Sequence, residues 1–150
     1  MEKKQKKDDC ADVPFVPIGV WVGLIVLNAE AAWFLFNDEE FIKNVNPVLY
    51  TVLILYLLIS GLASHYIACK SDPGFLTKPQ VKDETPDDHV CLKCGADRTK
   101  YEPFVHHCGN CKGCIYKMNH HCLFIQNCVG HLNRKYYILF NAYVCLNILA

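Results

Sequence analysis

The sequence predicts an α-helical integral membrane protein with a small, loop-rich, zinc-stapled cysteine-rich domain on the cytosolic side. Three observations lead there. The 150 residues carry 15 Lys and Arg against 15 Asp and Glu, yet this neutral total is gathered into blocks. Between the blocks lie apolar runs long enough to cross a hydrocarbon core, which takes about 20 residues. Seven of the ten cysteines fall within residues 91–128, interleaved with histidines. The neutral balance argues against a dedicated nucleic-acid binder. The apolar share of 52% argues against a disordered chain.

Each segment follows in order. Residues 1–13 form a tail that carries Lys3, Lys4, Lys6 and Lys7 against Glu2, Asp8, Asp9 and Asp12. Residues 14–36 hold one charge, Glu30, and read as the first membrane helix. Trp33, Phe34 and Phe36 at its end suit a headgroup interface rather than the small-residue site of a cleaved signal peptide. Residues 37–44 make a short acidic loop. Residues 45–69 carry no Asp, Glu, Lys or Arg and read as the second membrane helix. Residues 70–90 are a linker opening on an Asp72-Pro73-Gly74 turn. Residues 91–133 are the cysteine-rich domain, and 134–150 begin a third membrane helix.

Basic residues in short flanks set the orientation. Four lysines precede the first span, Lys43 alone lies in the acidic loop, and residues 70–135 hold ten Lys and Arg. The tail and the cysteine-rich domain are therefore cytosolic, and the acidic loop is lumenal or extracellular. Glu30, His65 and Tyr66 lie toward the ends of their spans and read as interfacial side chains rather than as catalytic ones. Cys69, at the cytosolic edge, is a candidate for acylation, and Cys10 reads as an ordinary thiol.

In the cysteine block, the cytosolic side keeps thiols reduced, which argues against disulfides. The spacings argue for metal. Cys91 and Cys94, Cys108 and Cys111, and Cys111 and Cys114 are each two residues apart, close enough for two thiolates to reach one tetrahedral Zn²⁺. His106, His107, His120 and His121 lie among them. Two four-coordinate sites need eight ligands, met by seven Cys and one His or by six Cys and two His. The second count leaves one thiol over. Cys122 is the one to examine, because it follows His120-His121 directly, and a thiolate beside a histidine is a nucleophile. Its alternative role is a further structural ligand.

The run from Cys91 to Tyr137 resembles the cysteine-rich domain of DHHC-type protein S-acyltransferases (palmitoyltransferases). The resemblance rests on His107-Cys108-x2-Cys111-x2-Cys114, on Asn119-His120-His121-Cys122, on Cys128-Val129-Gly130-x2-Asn133, and on Asp72-Pro73-Gly74 after the second span. It implies two interleaved structural zinc sites. One uses Cys91, Cys94, His107 and Cys114, the other Cys108, Cys111, His121 and Cys128. It implies that Cys122 is the acyl-accepting nucleophile and His120 its general base, with Asn119 at the orienting position. It also implies a fatty acyl-CoA, such as palmitoyl-CoA, as donor. The acceptors would be cytosol-facing proteins with membrane-proximal cysteines. The setting would be the bilayer of an endomembrane (endoplasmic reticulum or Golgi) or the plasma membrane, with no nucleic acid involved.

Departures bear on this reading. Asn119 stands where the family has Asp; it can orient an imidazole but brings no charge, so activity is expected to be retained but lowered. Leu123-Phe124 replaces the common Pro-Trp. The chain ends at Ala150 without a fourth span or a Thr-Thr-x-Glu motif, as the front part of a four-span enzyme would. From these departures follows the competing expectation: a catalytically weak or inactive membrane zinc module that binds clients or a partner subunit.

Overall fold

The computed structural model describes residues 15–77 and 89–149. The tail 1–13 and residues 78–88 of the linker lie outside the described residues.

Three long helices and two small hairpins make up the described chain. Helix α1 spans Phe15–Phe36. A short α2, Glu39–Asn44, occupies the acidic loop, which the sequence reading leaves without structure. Its start is fixed locally: the Asp38 carboxylate accepts the Glu40 N–H at 2.9 Å, and Glu39 and Glu40 sit in the first turn, where the helix dipole favours acids. Helix α3 spans Pro47–Lys70. Asn46 caps it, its Oδ1 accepting from the N–H groups of Val48 and Leu49 at 3.0 and 3.2 Å, and Pro47 supplies a first-turn φ without losing a needed donor. Ser71 ends it in extended geometry, its N–H donating to the Ile67 carbonyl at 2.8 Å. Helix α4, Arg134–Leu149, packs along α3, where Gly61 lets Tyr143 approach closely.

Among the described residues, α3 is the helix long and apolar enough to cross a membrane; the apolar stretch of α1, Pro17–Trp33, is shorter. Val48, Leu49, Val52, Tyr56 and Ile59 stand exposed along α3. Side chains of that size and number facing outward fit a lipid surface rather than water.

The cysteine-rich domain follows α3 through a tight turn. The Asp72 carboxylate accepts the N–H groups of Gly74 and Phe75 at 2.7 and 3.0 Å, and Gly74 takes the left-handed φ of +108° that the reversal needs. Strand β1 (Val105–Cys108) pairs antiparallel with β2 (Gly113–Tyr116), and residues 74–76 lie alongside β2, Leu76 donating to Cys114 and Tyr116 to Gly74. Strand β3 (His120–Cys122) pairs with β4 (Asn127–Val129). The cores are small. Phe75 and Ile115 pack with Cys108, Cys111 and Cys128; Leu76, Ala96 and Val105 pack with Cys91 and Cys114.

Three contacts tie this domain to the end of α3, the turn after it and the start of α4. The Asn127 amide donates to the carbonyls of Ala68 and Ser71 at 3.1 and 2.8 Å, filling acceptors that the end of α3 leaves open. Asn133, fully buried, accepts the Gly130 N–H and donates to the Cys128 carbonyl, each at 2.8 Å. At Gly130 a side chain has no room: a Cβ would overlap the Pro73 carbonyl oxygen and reach Ile115 Cγ2 at 2.8 Å. Gly130→Ala is expected to cost about 3 kcal/mol, the upper end of overpacking penalties, read as a lowered thermal midpoint of the detergent-solubilised chain. Gly109→Ala, whose Cβ meets nothing within 4 Å, should leave that midpoint unchanged.

Candidate metal centres and reactive cysteine

Strand alternation builds the site. Successive residues of a β-strand face opposite ways. On β1, His107 stands opposite Cys114 of β2, while its neighbour Cys108 turns the other way. On β3, His121 stands opposite Cys128 of β4. Neighbouring ligands thus go to different clusters, and ligands distant in sequence meet across the strands.

Two clusters result. Ligand atoms of Cys91, Cys94, His107 and Cys114 all lie within 4.8 Å of one another, as do those of Cys108, Cys111, His121 and Cys128. In the first, Cys94 and Cys114 sulfurs are 3.6 Å apart, and His107 Nδ1 lies 3.6 Å from the Cys91 sulfur and 4.0 Å from that of Cys114. In the second, His121 Nδ1 lies 3.7, 3.5 and 3.5 Å from the sulfurs of Cys108, Cys111 and Cys128. A tetrahedral zinc with bonds of about 2.3 Å to sulfur and about 2.0–2.1 Å to nitrogen separates its ligands by roughly 3.5–3.8 Å. The clusters have that size and a Cys₃His donor set, so both can hold a metal ion and fit zinc. The Cys111 N–H also points at the Cys108 sulfur at 3.4 Å, an arrangement that supports a thiolate in a tight turn.

Burial shapes the charge state of both clusters. Burial, then the thiols of Cys91 and Cys94, push the Cys114 thiol far above its usual range. Burial and Cys108 do the same to Cys128. Without an ion these sulfurs stay protonated; a divalent cation reverses that balance. Burial holds His107 and His121 below the ordinary imidazole range, in the neutral form that coordinates a metal.

Cys122 joins neither cluster. It shares a face of β3 with His120, two residues away, while His121 between them turns toward the second cluster. Cys122 is buried against Ala68, Cys69, Ile125 and Val129, with Tyr136 and Tyr137 beside them. Asn119 Oδ1 lies 2.8 Å from His120 Nδ1. A carbonyl oxygen only accepts, so the imidazole proton sits on Nδ1 and Nε2 carries the lone pair. The Tyr137 ring meets His120 edge-on, centroids 5.5 Å apart.

Several important residues escape the sequence reading. His65 reads there as interfacial, but it is fully buried, and Cys69, a candidate for acylation, is buried beside Cys122. Asn127 carries no sequence signal at all. Glu30 is exposed on α1, about 13 Å along the helix from Trp21, the α1 residue that touches His65.

Comparison with known proteins agrees with this geometry. Residues 84–150 match the family model of the DHHC palmitoyltransferase domain. This stretch of the chain carries the DHHC palmitoyltransferase domain, and the relatives it matches are named palmitoyltransferases or S-acyltransferases. It is 34% identical over 165 aligned residues to palmitoyltransferase ZDHHC3 of Rattus norvegicus, an alignment covering 93% of this chain and 54% of that protein. It is 35% identical to palmitoyltransferase ZDHHC3-A of Danio rerio (81% of this chain, 43% of that protein) and 31% identical to probable protein S-acyltransferase 16 of Arabidopsis thaliana (85% and 49%). The chain spans about half the length of these curated relatives.

The clusters make a stoichiometric prediction. Bound metal should fall from about two zinc ions per chain to about one in either Cys94→Ser or Cys111→Ser, and stay at two in Cys122→Ser, by metal analysis of the purified chain. Because the buried thiols must lose protons to bind, zinc affinity should rise with pH and metal should be released on acidification. A chelator titration at several pH values measures this.

Proposed function

We propose that this chain is the catalytic part of a multi-pass protein S-acyltransferase, moving a long-chain acyl group from acyl-CoA to cysteines of membrane-proximal proteins through an acyl-Cys122 intermediate. The observation that carries the reading is the separation of roles on β3. Of the seven cysteines within residues 91–128, Cys122 is the one outside both clusters, and it shares a face with a histidine whose Nδ1 is engaged by Asn119. Bound zinc would supply structural closure, with Cys91, Cys94, His107 and Cys114 holding one ion and Cys108, Cys111, His121 and Cys128 the other.

The steps follow from this chain's own groups. His120 Nε2 takes the Cys122 proton. The thiolate attacks the thioester carbonyl of acyl-CoA; the bond from sulfur to the acyl carbon forms, the bond to the CoA sulfur breaks, and the imidazolium returns its proton to the departing CoA thiolate. A substrate cysteine then gives its proton to His120 and takes the acyl group from Cys122, whose sulfur leaves as the thiol. Two exchanges of one bond type predict ping-pong kinetics.

The surroundings support a lipid substrate. Leu123 and Phe124, next to the nucleophile, are 62% and 63% exposed. The cluster around Cys122 rests on Ala68 and Cys69 at the end of α3. An apolar groove of about 260 Å³ between α1 and α3, lined by Ile25, Ala29, Ala32, Ile54 and Leu58, lies about 15 Å or more along α3 from Ala68, toward the other end of the helix. In this reading the cysteine-rich domain faces the cytosol, and three or more helices anchor it to an endomembrane or the plasma membrane.

Labelling with a radioactive or alkyne-tagged palmitoyl-CoA should give a hydroxylamine-sensitive adduct that disappears in Cys122→Ser. Two zinc ions with no adduct would leave the non-catalytic module instead. Asn119→Asp supplies the charge that stabilises the imidazolium, so single-turnover loading should quicken severalfold; the corresponding change in a serine triad is worth about 10⁴, an upper bound for a cysteine nucleophile. An unchanged loading rate in that variant would remove the electrostatic role assigned to position 119.

A further inference from the structure

We propose that His65, deep in α3, is a positioning residue for the loop that follows the nucleophile, and that Trp21 of α1 selects the tautomer in which it does so. The proposal rests on the reading of Cys122 as the acyl-accepting thiol. His65 is fully buried where α1, α3, α4 and the loop between β3 and β4 meet. The Trp21 indole N–H lies 2.8 Å from His65 Nδ1. Indole nitrogen only donates, so Nδ1 carries a lone pair and the proton sits on Nε2. Nε2 lies 3.0 Å from the Phe124 carbonyl oxygen, which only accepts. Direction is therefore fixed at both ends: Trp21 donates to His65 and His65 donates to Phe124. The other tautomer would set two donors against each other at one end and two acceptors at the other. Packing holds the ring as well, with Phe140 of α4 at a centroid distance of 4.7 Å and the Cys69 sulfur 3.7 Å from Nε2.

The bond matters because of where it lands. Phe124 is two residues beyond Cys122, and the side chains of Leu123 and Phe124 both face outward. Ile125 anchors the far end of this stretch by burial. Between Cys122 and Ile125, the Phe124 carbonyl is held from below by His65. Losing that bond lets the peptide rotate and carries the thiol off its line of attack; a misplacement of about 1 Å can cost about 10²-fold in rate. His65 touches no reacting atom in this scheme, and with Nε2 engaged it is not a second base.

The test is single-turnover loading of the membrane-embedded chain with labelled palmitoyl-CoA, resolving rate constant from amplitude. Misfolded molecules lower the amplitude and leave the rate constant of the remainder alone, whereas a misplaced nucleophile slows the rate constant itself. His65→Leu should slow it about tenfold or more with two zinc ions retained and the KM for acyl-CoA unchanged. His65→Gln, which can accept from Trp21 and donate to Phe124, should recover to within about threefold of wild type. Trp21→Phe should slow loading in the wild-type background and add nothing in His65→Leu. A wild-type rate constant in His65→Leu, a His65→Gln as slow as His65→Leu, or additive losses in the double variant would overturn the proposal. Should His65→Leu fail to insert, Trp21→Phe alone decides: a slowed rate constant at full amplitude supports it, and an unchanged one overturns it. If the wild-type chain itself forms no adduct, the acyltransferase reading fails instead.

Discussion

The pleat of two very short strands organises this molecule. His107 and Cys108 are neighbours on β1 and belong to different clusters; His120, His121 and Cys122 are neighbours on β3, and only His121 turns toward the second cluster. Hairpins of three or four residues a strand bury too little apolar surface to hold themselves together in water. The sulfur-lined cores around Ile115 and Val105 are of the kind that depends on an ion for closure. Alternation therefore serves two needs with one device. It delivers four ligands to each cluster from distant parts of the chain, and it leaves the thiol between those ligands turned the other way.

What the clusters hold, α3 and α4 orient. Asn127 is the residue opposite Cys122 in the hairpin, and its amide closes on the last carbonyls of α3. Asn133 folds the start of α4 back onto the Cys128 and Gly130 backbone. The β3–β4 hairpin is thus tied to the end of α3 and the start of α4 by side-chain amides that bond to backbone, contacts that specify direction as well as proximity. The Asn127 amide reaches from the hairpin to the end of α3, and the His65 imidazole reaches from α3 to Phe124 in the turn between β3 and β4.

Much of this was legible in the sequence, and unevenly so. Uncharged runs mark the helices because lipid tolerates no charge, and the Cys-x2-Cys pairs mark a metal-binding block because thiolates need that spacing. Spacing does not say which pair meets which, since the pairing depends on strand register; His107 against Cys114 becomes visible only once β1 and β2 are aligned. The helical turn at 39–44 was hidden for the opposite reason, because its cap and acidic first turn look like any polar loop. His65 misleads for a third reason. A polar residue near the end of an apolar run reads as interfacial, and only the placement of Trp21 and Phe124 around it shows that it is enclosed.

The same alternation carries a consequence for how this hairpin can vary. His120 and His121 are chemically identical and differ only in the face they present. A single residue inserted between His121 and Cys122 would turn the thiol to the face on which His121 meets the second cluster. Length changes in this hairpin are therefore safe only in the turn, where they leave the phase of β3 untouched. Parity, more than the identity of any one side chain, divides labour along this strand.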